Sequence, residues 1–203
     1  MSLTVESIME IPKENLSPFS AALGPEDVAQ LVSWLSRKED DIRYRTFLLL
    51  QEKSRLDNSV YPYFQAFCEK LGSENSYQRS LGVMLIAENV QWDTESKMRE
   101  VLPAYLKILY DEKPITVRQC VGSLGIIVKA APAYGEKISR ALLMYDVMSV
   151  RETMRKLILL DIVTVLAEIR KVYSDPKIDA YLLSALSGEI LDSKAKKALQ
   201  KLL

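Results

Sequence analysis

The chain has 203 residues, 48% of them hydrophobic, which is enough to bury a substantial core. Lysine plus arginine and aspartate plus glutamate number 27 each, and this balance excludes a global field that would draw the protein to nucleic acid or an anionic membrane. Histidine is absent, which removes the commonest general base and the commonest metal ligand. The composition therefore favours a non-catalytic protein without a cofactor or metal.

The cysteines and the apolar runs of the sequence indicate the cellular compartment. Cys68 and Cys120 lie among apolar residues in helix-like stretches, which is typical of reduced, buried thiols. The longest apolar run, residues 157–167, is interrupted by Asp161 and is too short to span a bilayer, and no N-terminal stretch resembles a signal peptide. We therefore expect a cytoplasmic protein with no membrane segment.

Helical spacing dominates the chain, since Asn-Gly and Asp-Gly hairpin pairs and sustained period-two alternation are absent. The first regular helix is predicted over residues 25–36, because Pro25 is followed by two acids. Residues 1–24 precede it as an extension or cap. Later helices of the same kind are predicted at 59–71, 94–110, 133–145 and 176–187. Pro62 and Pro103 each fall near the start of one of these helices or bend it.

Between these helices, four segments share an arginine in second place and a leucine six places later. The arginines are Arg43, Arg79, Arg118 and Arg151, and the leucines are Leu49, Leu85, Leu124 and Leu157. Successive arginines are 36, 39 and 33 residues apart, which is the spacing of a helical repeat array. The residue before each arginine and the later leucine share one helix face, except that polar Gln78 breaks the apolar pattern. A basic amphipathic helix over residues 193–203 completes a fifth pair.

Each of these arginines is predicted at the edge of the buried face, near the first turn of its helix. The helix macrodipole disfavours a cation there, so a neighbouring acid is expected to compensate. Acidic residues stand in the turn before each helix, at Asp40 and Asp41, Glu74, Asp111 and Glu112, and Asp146. The sequence therefore predicts a ladder of arginine–acid pairs running from repeat to repeat.

The pair period, the prolines, the acidic turns and the Val-Arg or Ile-Arg helix starts resemble the HEAT and armadillo-type repeat families. The resemblance covers residues 25–203. It implies an all-α fold, a right-handed α-solenoid of about five antiparallel helix pairs. Such motifs specify architecture well and function poorly.

The segment around Gly122 and Gly125 has two interpretations, a phosphate-binding loop or a close contact between helices. Both glycines fall well inside a predicted helix rather than between a strand and a helix, which argues against the loop. Glycine inside a helix costs roughly 0.5–1 kcal/mol relative to alanine, which implies a compensating packing benefit. We expect both glycines to lie at a close helix–helix contact.

Other residues carry a structural and a functional interpretation side by side. Asp161, on an apolar helix, is expected to pair with a cation of a neighbouring helix such as Lys129 rather than to act as a functional carboxylate. The aromatic cluster Tyr61, Tyr63, Phe64 and Phe67 is expected in the core, although it could also stack on bases or seat a peptide.

Charge distribution gives the best functional indication. The second helices of pairs three to five carry twelve cations against four acids. In solenoids of this type the second helices line the inner face, so the resemblance implies a basic surface there. The candidate partner-binding residues are Arg155, Lys156, Arg170, Lys171, Lys194 and Lys197. The alternative is that these cations belong to the structural ladder or to a solvated face.

The sequence is compatible with two alternative functions. The favoured one is a scaffold that engages a protein partner, for which an acidic segment would suit the basic surface. The alternative is a nucleic-acid-binding protein similar to the DNA glycosylases built from HEAT-like repeats. Those enzymes combine tryptophans with an aspartate in a groove, and here Trp92–Asp93 is the only neighbouring pair of that kind.

Overall fold

The computed structural model describes residues 3–203, which form α-helices joined by turns and short 3-10 segments, with no β-strand in that range. In chain order the helices are α1 (Val5–Met9), α2 (Leu16–Ala21), α3 (Pro25–Trp34), α4 (Asp40–Leu56), α5 (Phe64–Lys70), α6 (Ser76–Asn89), α7 (Lys97–Lys107), α8 (Pro114–Ala130), α9 (Gly135–Leu143), α10 (Glu152–Arg170), α11 (Pro176–Ser187) and α12 (Ser193–Gln200). From α3 onward they form five consecutive pairs. This arrangement confirms the predicted all-α class.

The chain divides into two compact units, an N-terminal unit (Met1–Lys97) and a C-terminal unit (Met98–Leu203). In the N-terminal unit, α4 is the central helix and packs against α1, α2, α3 and α6. Helix α5 packs closely along α6. The leucines predicted to be buried here, Leu49 and Leu85, are completely inaccessible to solvent.

The residues before the first repeat, 4–24, fold as α1 and α2 and lie against α4. Ile8 on α1 is completely buried. The Ser20 hydroxyl on α2 donates to the carbonyl of Leu49 at 3.2 Å, inside the core. These two short helices therefore cover part of α4 without adding a repeat of their own.

The aromatic cluster packs in the core of the N-terminal unit, as predicted, except that Tyr63 is only partly buried. A 3-10 segment, Asn58–Tyr63, contains Pro62 and leads directly into α5. Phe64 and Phe67 are fully buried, and the rings of Tyr61 and Phe64 lie 5.6 Å apart. The Tyr61 hydroxyl donates to a carboxylate oxygen of Asp93 at 2.7 Å. Desolvation, together with this hydrogen bond, raises the pKa of the buried phenol above its usual value.

The C-terminal unit is organised around α8 and α10, which pack along each other, with α9, α11 and α12 also contacting α10. Val117, Val121 and Leu124 bury one stripe of α8, and Ile158 and Ile162 bury one stripe of α10. Both stripes follow the spacing of three or four residues that a helix needs to keep one side in the core.

The glycines of the second helices differ in their surroundings. A Cβ built on Gly125 would lie 3.4 Å from a methyl group of Val165 on α10, which confirms a close helix contact there. A Cβ on Gly122 would meet nothing within 4 Å, and Gly122 is exposed. The prediction for Gly122 is therefore wrong, because this residue lies about 60° around α8 from Gly125, on the side that is open to solvent. The closest approach is at Gly82 of α6, where a Cβ would lie 2.7 Å from the carbonyl oxygen of Phe67.

Candidate protein-binding surface

The arginines near the starts of α4 and α6 bind the turn that precedes their own helix. Arg43 Nη1 donates to the carbonyl of Arg37 at 3.0 Å, and the same guanidinium forms an ion pair with Asp40. Arg79 Nη1 donates to the carbonyl of Ser73 at 2.8 Å. Because these carbonyls belong to the loop between paired helices, each arginine fixes the turn of its own repeat.

Arg118 of α8 has a different partner. Its Nε and Nη2 donate to the two carboxylate oxygens of Asp161 on α10, at 2.6 and 3.1 Å. The hydrogen bonds to Asp161 raise the pKa of Arg118 above its already high value. This two-point ion pair confirms that Asp161 serves a structural pair, but the partner is Arg118. Lys129 instead lies 3.8 Å from Glu168.

The acid that pairs with Arg118 thus comes from the next second helix and not from the turn before α8. At α4, by contrast, an acid from the start of the same helix, Asp40, pairs with the arginine. Bidentate carboxylate pairing is geometrically specific, so the Arg118–Asp161 pair fixes the register of α8 against α10.

The fourth repeat begins later than its sequence suggests. Arg151 is the N-cap residue of α10, since Val150 before it is extended and the helix starts only at Glu152. The arginine that binds the preceding loop is Arg155, which donates to the carbonyls of Val150 and Met148, each at 3.1 Å. The repeat position predicted at Arg151 is therefore occupied by Arg155, 37 residues after Arg118.

The leucine of that repeat also departs from the prediction. Leu157 is 37% exposed, whereas Leu49, Leu85 and Leu124 are buried. Ile158 and Ile162 form the buried stripe of α10. The predicted burial of Leu157 is wrong, because successive helical residues are about 100° apart and Leu157 lies to the side of that stripe.

The exposed sides of α8 and α10 form what we call the α8–α10 surface. On α8 the exposed residues recur at helical spacing, at Ile115, Gln119, Gly122 and Lys129. On α10 the corresponding side carries Leu157, Thr164 and, half-buried, Asp161 and Glu168. Two ion pairs, Arg118–Asp161 and Lys129–Glu168, link the helices along this surface.

Four of the six candidate partner-binding cations have structural partners. Arg155 binds the loop carbonyls described above. Three others form ion pairs, Lys156 with Asp192, Arg170 with Asp179 at 2.6 Å, and Lys171 with Glu168 at 2.8 Å. The hydrogen bond from Lys171 lowers the pKa of Glu168 below its usual value.

The remaining two candidates, Lys194 and Lys197, lie on α12. Both are exposed, and neither forms an ion pair within residues 3–203. The cation excess counted from the sequence is thus largely neutralised along α10 and persists at α12.

The tryptophan–aspartate pair and the two cysteines are held in the structure by hydrogen bonds or by burial. Trp92 Nε1 donates to the carbonyl of Ser54 at 2.7 Å, and Asp93 accepts from Tyr61 as described above. Burial raises the pKa of the Cys68 thiol to about 11, and Cys120 is fully buried.

Within the described part of the chain, no group of three or more acidic or cysteine residues is arranged to hold a metal ion. The same residues include no helix with the length and apolarity that a membrane crossing requires.

No protein-family model matches the sequence, and no curated protein matches it. Solved structures do match. An engineered protein from the Northeast Structural Genomics Consortium is 14% identical, with a TM-score of 0.54 over 98% of this chain and 85% of its own. The designed armadillo repeat protein YIII(Dq)4CqI is 14% identical, with a TM-score of 0.52 over 98% of this chain and 97% of its own.

A third similar structure is the designed armadillo repeat protein YIII(Dq.V1)4CPAF in complex with the peptide (KR)4. It is 11% identical, with a TM-score of 0.51 over 98% of this chain and 96% of its own. At these identities the likeness concerns the fold alone. The protein therefore has an all-α repeat fold of the armadillo and HEAT type, a solenoid of paired helices, and the sequence-based expectation of that class is confirmed.

Proposed function

We propose that this protein is a non-catalytic scaffold that binds an extended segment of a protein partner along the α8–α10 surface. The observation that carries the proposal is the stretch of uncovered backbone at Gly122. This glycine lies in the interior of a 17-residue helix, is exposed, and has no neighbour that a Cβ would touch. Glycine in a helix interior costs roughly 0.5–1 kcal/mol relative to alanine, and no internal contact accounts for it.

The residues around Gly122 suit a peptide. Ile115 and Leu157 are 60% and 37% exposed, and each lies one helical turn before the Arg118–Asp161 ion pair. Because α8 and α10 pack along each other, both apolar side chains lie toward the N-terminal end of the α8–α10 surface. An apolar side chain of the partner would cover them, while the partner's backbone passes over Gly122.

The lysines of α12 indicate the charge of the partner. Lys156 of α10 pairs with Asp192, the N-cap residue of α12, so the start of α12 lies beside Lys156, the residue before Leu157. Exposed Lys194 and Lys197 follow within the next two turns. We propose acidic residues in the part of the partner that reaches α12, since charge complementarity favours encounter and specificity.

The designed armadillo protein with its (KR)4 peptide supports peptide binding by this architecture in general. Its peptide is basic, whereas the α12 lysines of the present chain favour an acidic one. The proposed site is therefore argued from the residues of the C-terminal unit and not from the neighbour's ligand.

A peptide-display selection tests the proposal. A random library of extended peptides is selected on the wild-type protein, and hydrogen–deuterium exchange then locates the bound peptide. We expect selected peptides with one apolar residue and nearby acids, and protection from exchange in α8 and α10. Selected peptides that protect only other helices would contradict the proposal.

Titration with DNA and RNA at several salt concentrations separates the nucleic-acid alternative. We expect weak binding near physiological salt, because the free cations are few and are screened over about 8 Å. A micromolar complex with a steep salt dependence, lost when Lys194 and Lys197 are replaced by glutamate, would instead favour nucleic acid, since phosphate neutralisation sets that slope.

A further inference from the structure

A second site lies in the N-terminal unit, and we propose that it binds a phosphate monoester group. A cavity of about 570 Å³ opens where the turns after α3 and α5 meet the starts of α4 and α6. Its volume falls in the range of ligand-binding pockets, roughly 300–1,000 Å³. Four cations line it, Arg37, Lys38, Arg43 and Lys70, against a single lining acid, Glu69. The inference is independent of the peptide surface on α8 and α10.

Gln78 organises this cavity, and it is the residue that breaks the apolar repeat pattern. Its side-chain nitrogen donates to the carbonyl of Leu35 at 2.7 Å, which turns its side-chain oxygen toward Lys70. Lys70 Nζ donates to that oxygen at 2.6 Å. An apolar residue at position 78, as in the sister repeats, would leave Lys70 without this partner. The polar substitution in the repeat thus holds a cation at the cavity wall.

The charge of Lys70 is only partly balanced. It is half-buried, forms no ion pair within residues 3–203, and its only hydrogen-bond acceptor there is the neutral amide of Gln78. Desolvation lowers the pKa of Lys70 below its usual value, and the nearby charge of Glu69 offsets only part of that effect. A bound anion would supply the remaining compensation.

Arg43 is a second cation at the cavity, and one of its hydrogen-bond donors has no acceptor. Its side chain is only 12% exposed, and two of its nitrogens bind Arg37 and Asp40. Its Nε is buried without a hydrogen-bond partner. A buried donor without an acceptor is unfavourable by about 1–3 kcal/mol in general, so it is a place where a ligand oxygen gains most.

The acids near the cavity only partly offset these cations. Asp40, which pairs with Arg43, is 81% exposed, and Glu39 lies 3.7 Å from Arg37 with its side chain 55% exposed. Water screens such exposed charges strongly. Lys38 makes no ion pair in the described part of the chain. The cavity therefore keeps an excess of positive charge.

The donors around the cavity suit phosphate better than a carboxylate. They come from four separate segments, and Ser36, Ser73 and Asn75 also line the cavity. A phosphate monoester has three terminal oxygens and about two negative charges, so it can engage donors from several directions at once. A planar carboxylate reaches fewer of them.

Two-dimensional NMR of the full chain tests the site with inorganic phosphate, a short phosphoserine peptide and the same peptide without phosphate. Sodium chloride at matched ionic strength is the reference. We expect both phosphate probes to shift amide signals at residues 36–38 and 70–78, and the unphosphorylated peptide to leave them unchanged. Tighter binding of the phosphopeptide than of inorganic phosphate would assign the ligand to a modified protein, and the reverse order would assign it to a free small molecule.

Variants locate the binding. Lys38→Gln with Lys70→Gln removes two of the four cations and should raise the dissociation constant of phosphate by at least about tenfold. The exposed single variant Lys38→Gln should give a smaller rise in a chain whose fold it does not disturb. The control, Lys194→Gln with Lys197→Gln, removes two lysines of α12 and should leave phosphate binding unchanged. The proposal is overturned if phosphate shifts no cavity signal beyond the chloride reference, or if the cavity variants bind it as the wild type does.

Discussion

Helices α6 and α8 occupy the same place in successive repeats, yet one is enclosed and the other keeps a free face. In α6, every residue from Ser80 to Asn89 is buried except Met84. Its glycine, Gly82, lies against the backbone of α5. In α8, Gly122 is open to solvent while Gly125 packs on α10. An interior glycine therefore marks close packing in one repeat and uncovered surface in the next.

The arginines near the starts of the second helices also have different partners in the two units. Arg43 and Arg79 bind the turns of their own repeats, whereas Arg118 reaches Asp161 in the following repeat. In the N-terminal unit the arginine stabilises a single helix pair. In the C-terminal unit it couples two pairs and contributes to the exposed surface.

The largest effect is expected at Gly82. Replacement by alanine would bring a Cβ within 2.7 Å of the Phe67 carbonyl oxygen, so α5 and α6 must move apart. Overpacking of this kind typically costs about 1–3 kcal/mol of the free energy of unfolding. Urea denaturation measures it, with Gly125→Ala as the milder control, since its nearest contact is at 3.4 Å. An unchanged midpoint for Gly82→Ala would show that α6 is not enclosed as described.

The ion pair of the C-terminal unit should give the next largest effect. Arg118→Ala is expected to lower the free energy of unfolding by about 1–2 kcal/mol, because a charge-assisted, two-point hydrogen bond is lost. A double-mutant cycle with Asp161→Ala isolates the coupling between the two side chains.

The matched control for that cycle is the exposed pair Arg140–Glu136, at 2.8 Å and within the same unit. Exposed pairs contribute between zero and about 1 kcal/mol, so its coupling should be the smaller. Equal couplings for the two pairs would mean that Arg118–Asp161 does not fix the register of α8 against α10.

Gly122→Ala should act in the direction opposite to Gly82→Ala. With no neighbour within 4 Å, the added methyl group meets no obstacle. Alanine restricts the unfolded chain and favours helix, so stability should rise by about 0.5–1 kcal/mol. Thermal and urea unfolding check this expectation, and a loss of stability would show that the backbone at Gly122 is covered.

The smallest effect concerns pH and Glu168. Because Lys171 lowers the pKa of Glu168 in the folded state, this carboxylate stabilises the fold at pH values above the pKa that it has in the unfolded chain. That contribution is lost as pH falls through the lower folded pKa. We expect Glu168→Gln to reduce stability by a few tenths of a kcal/mol at pH 7 and to have no such effect at pH 2. The same difference at both pH values would exclude a role for the charge.

The sequence predicted most of the helical architecture, because the relevant signals are local. Pro25, the acidic turns and the apolar spacing each act within one or two helical turns, and the helices begin near the expected residues. The error at Arg151 also has a local origin. The segment contains two arginines four residues apart, and only the extended conformation of Val150 decides that Arg155 takes the repeat position.

The sites depend on contacts that spacing does not encode. Gly122 and Gly125 are three residues apart in one helix, and their difference arises from which side faces α10. The cavity of the N-terminal unit joins Lys38 and Lys70, which are distant in sequence. Its single sequence signal is Gln78, which departs from the repeat pattern, and its meaning depends on the position of Leu35 in the fold.

The most direct test of the scaffold proposal is the affinity of a selected peptide for the variant Gly122→Trp, measured by isothermal titration calorimetry. The control is Leu183→Trp, which adds the same ring at an exposed position of α11. Circular dichroism establishes that both variants keep the helical fold. If a partner segment passes over Gly122, the indole blocks it, and the dissociation constant should rise at least about tenfold, equivalent to about 1.4 kcal/mol, while the control binds as the wild type does. Unchanged affinity for Gly122→Trp, or an equal loss in both variants, would contradict the account.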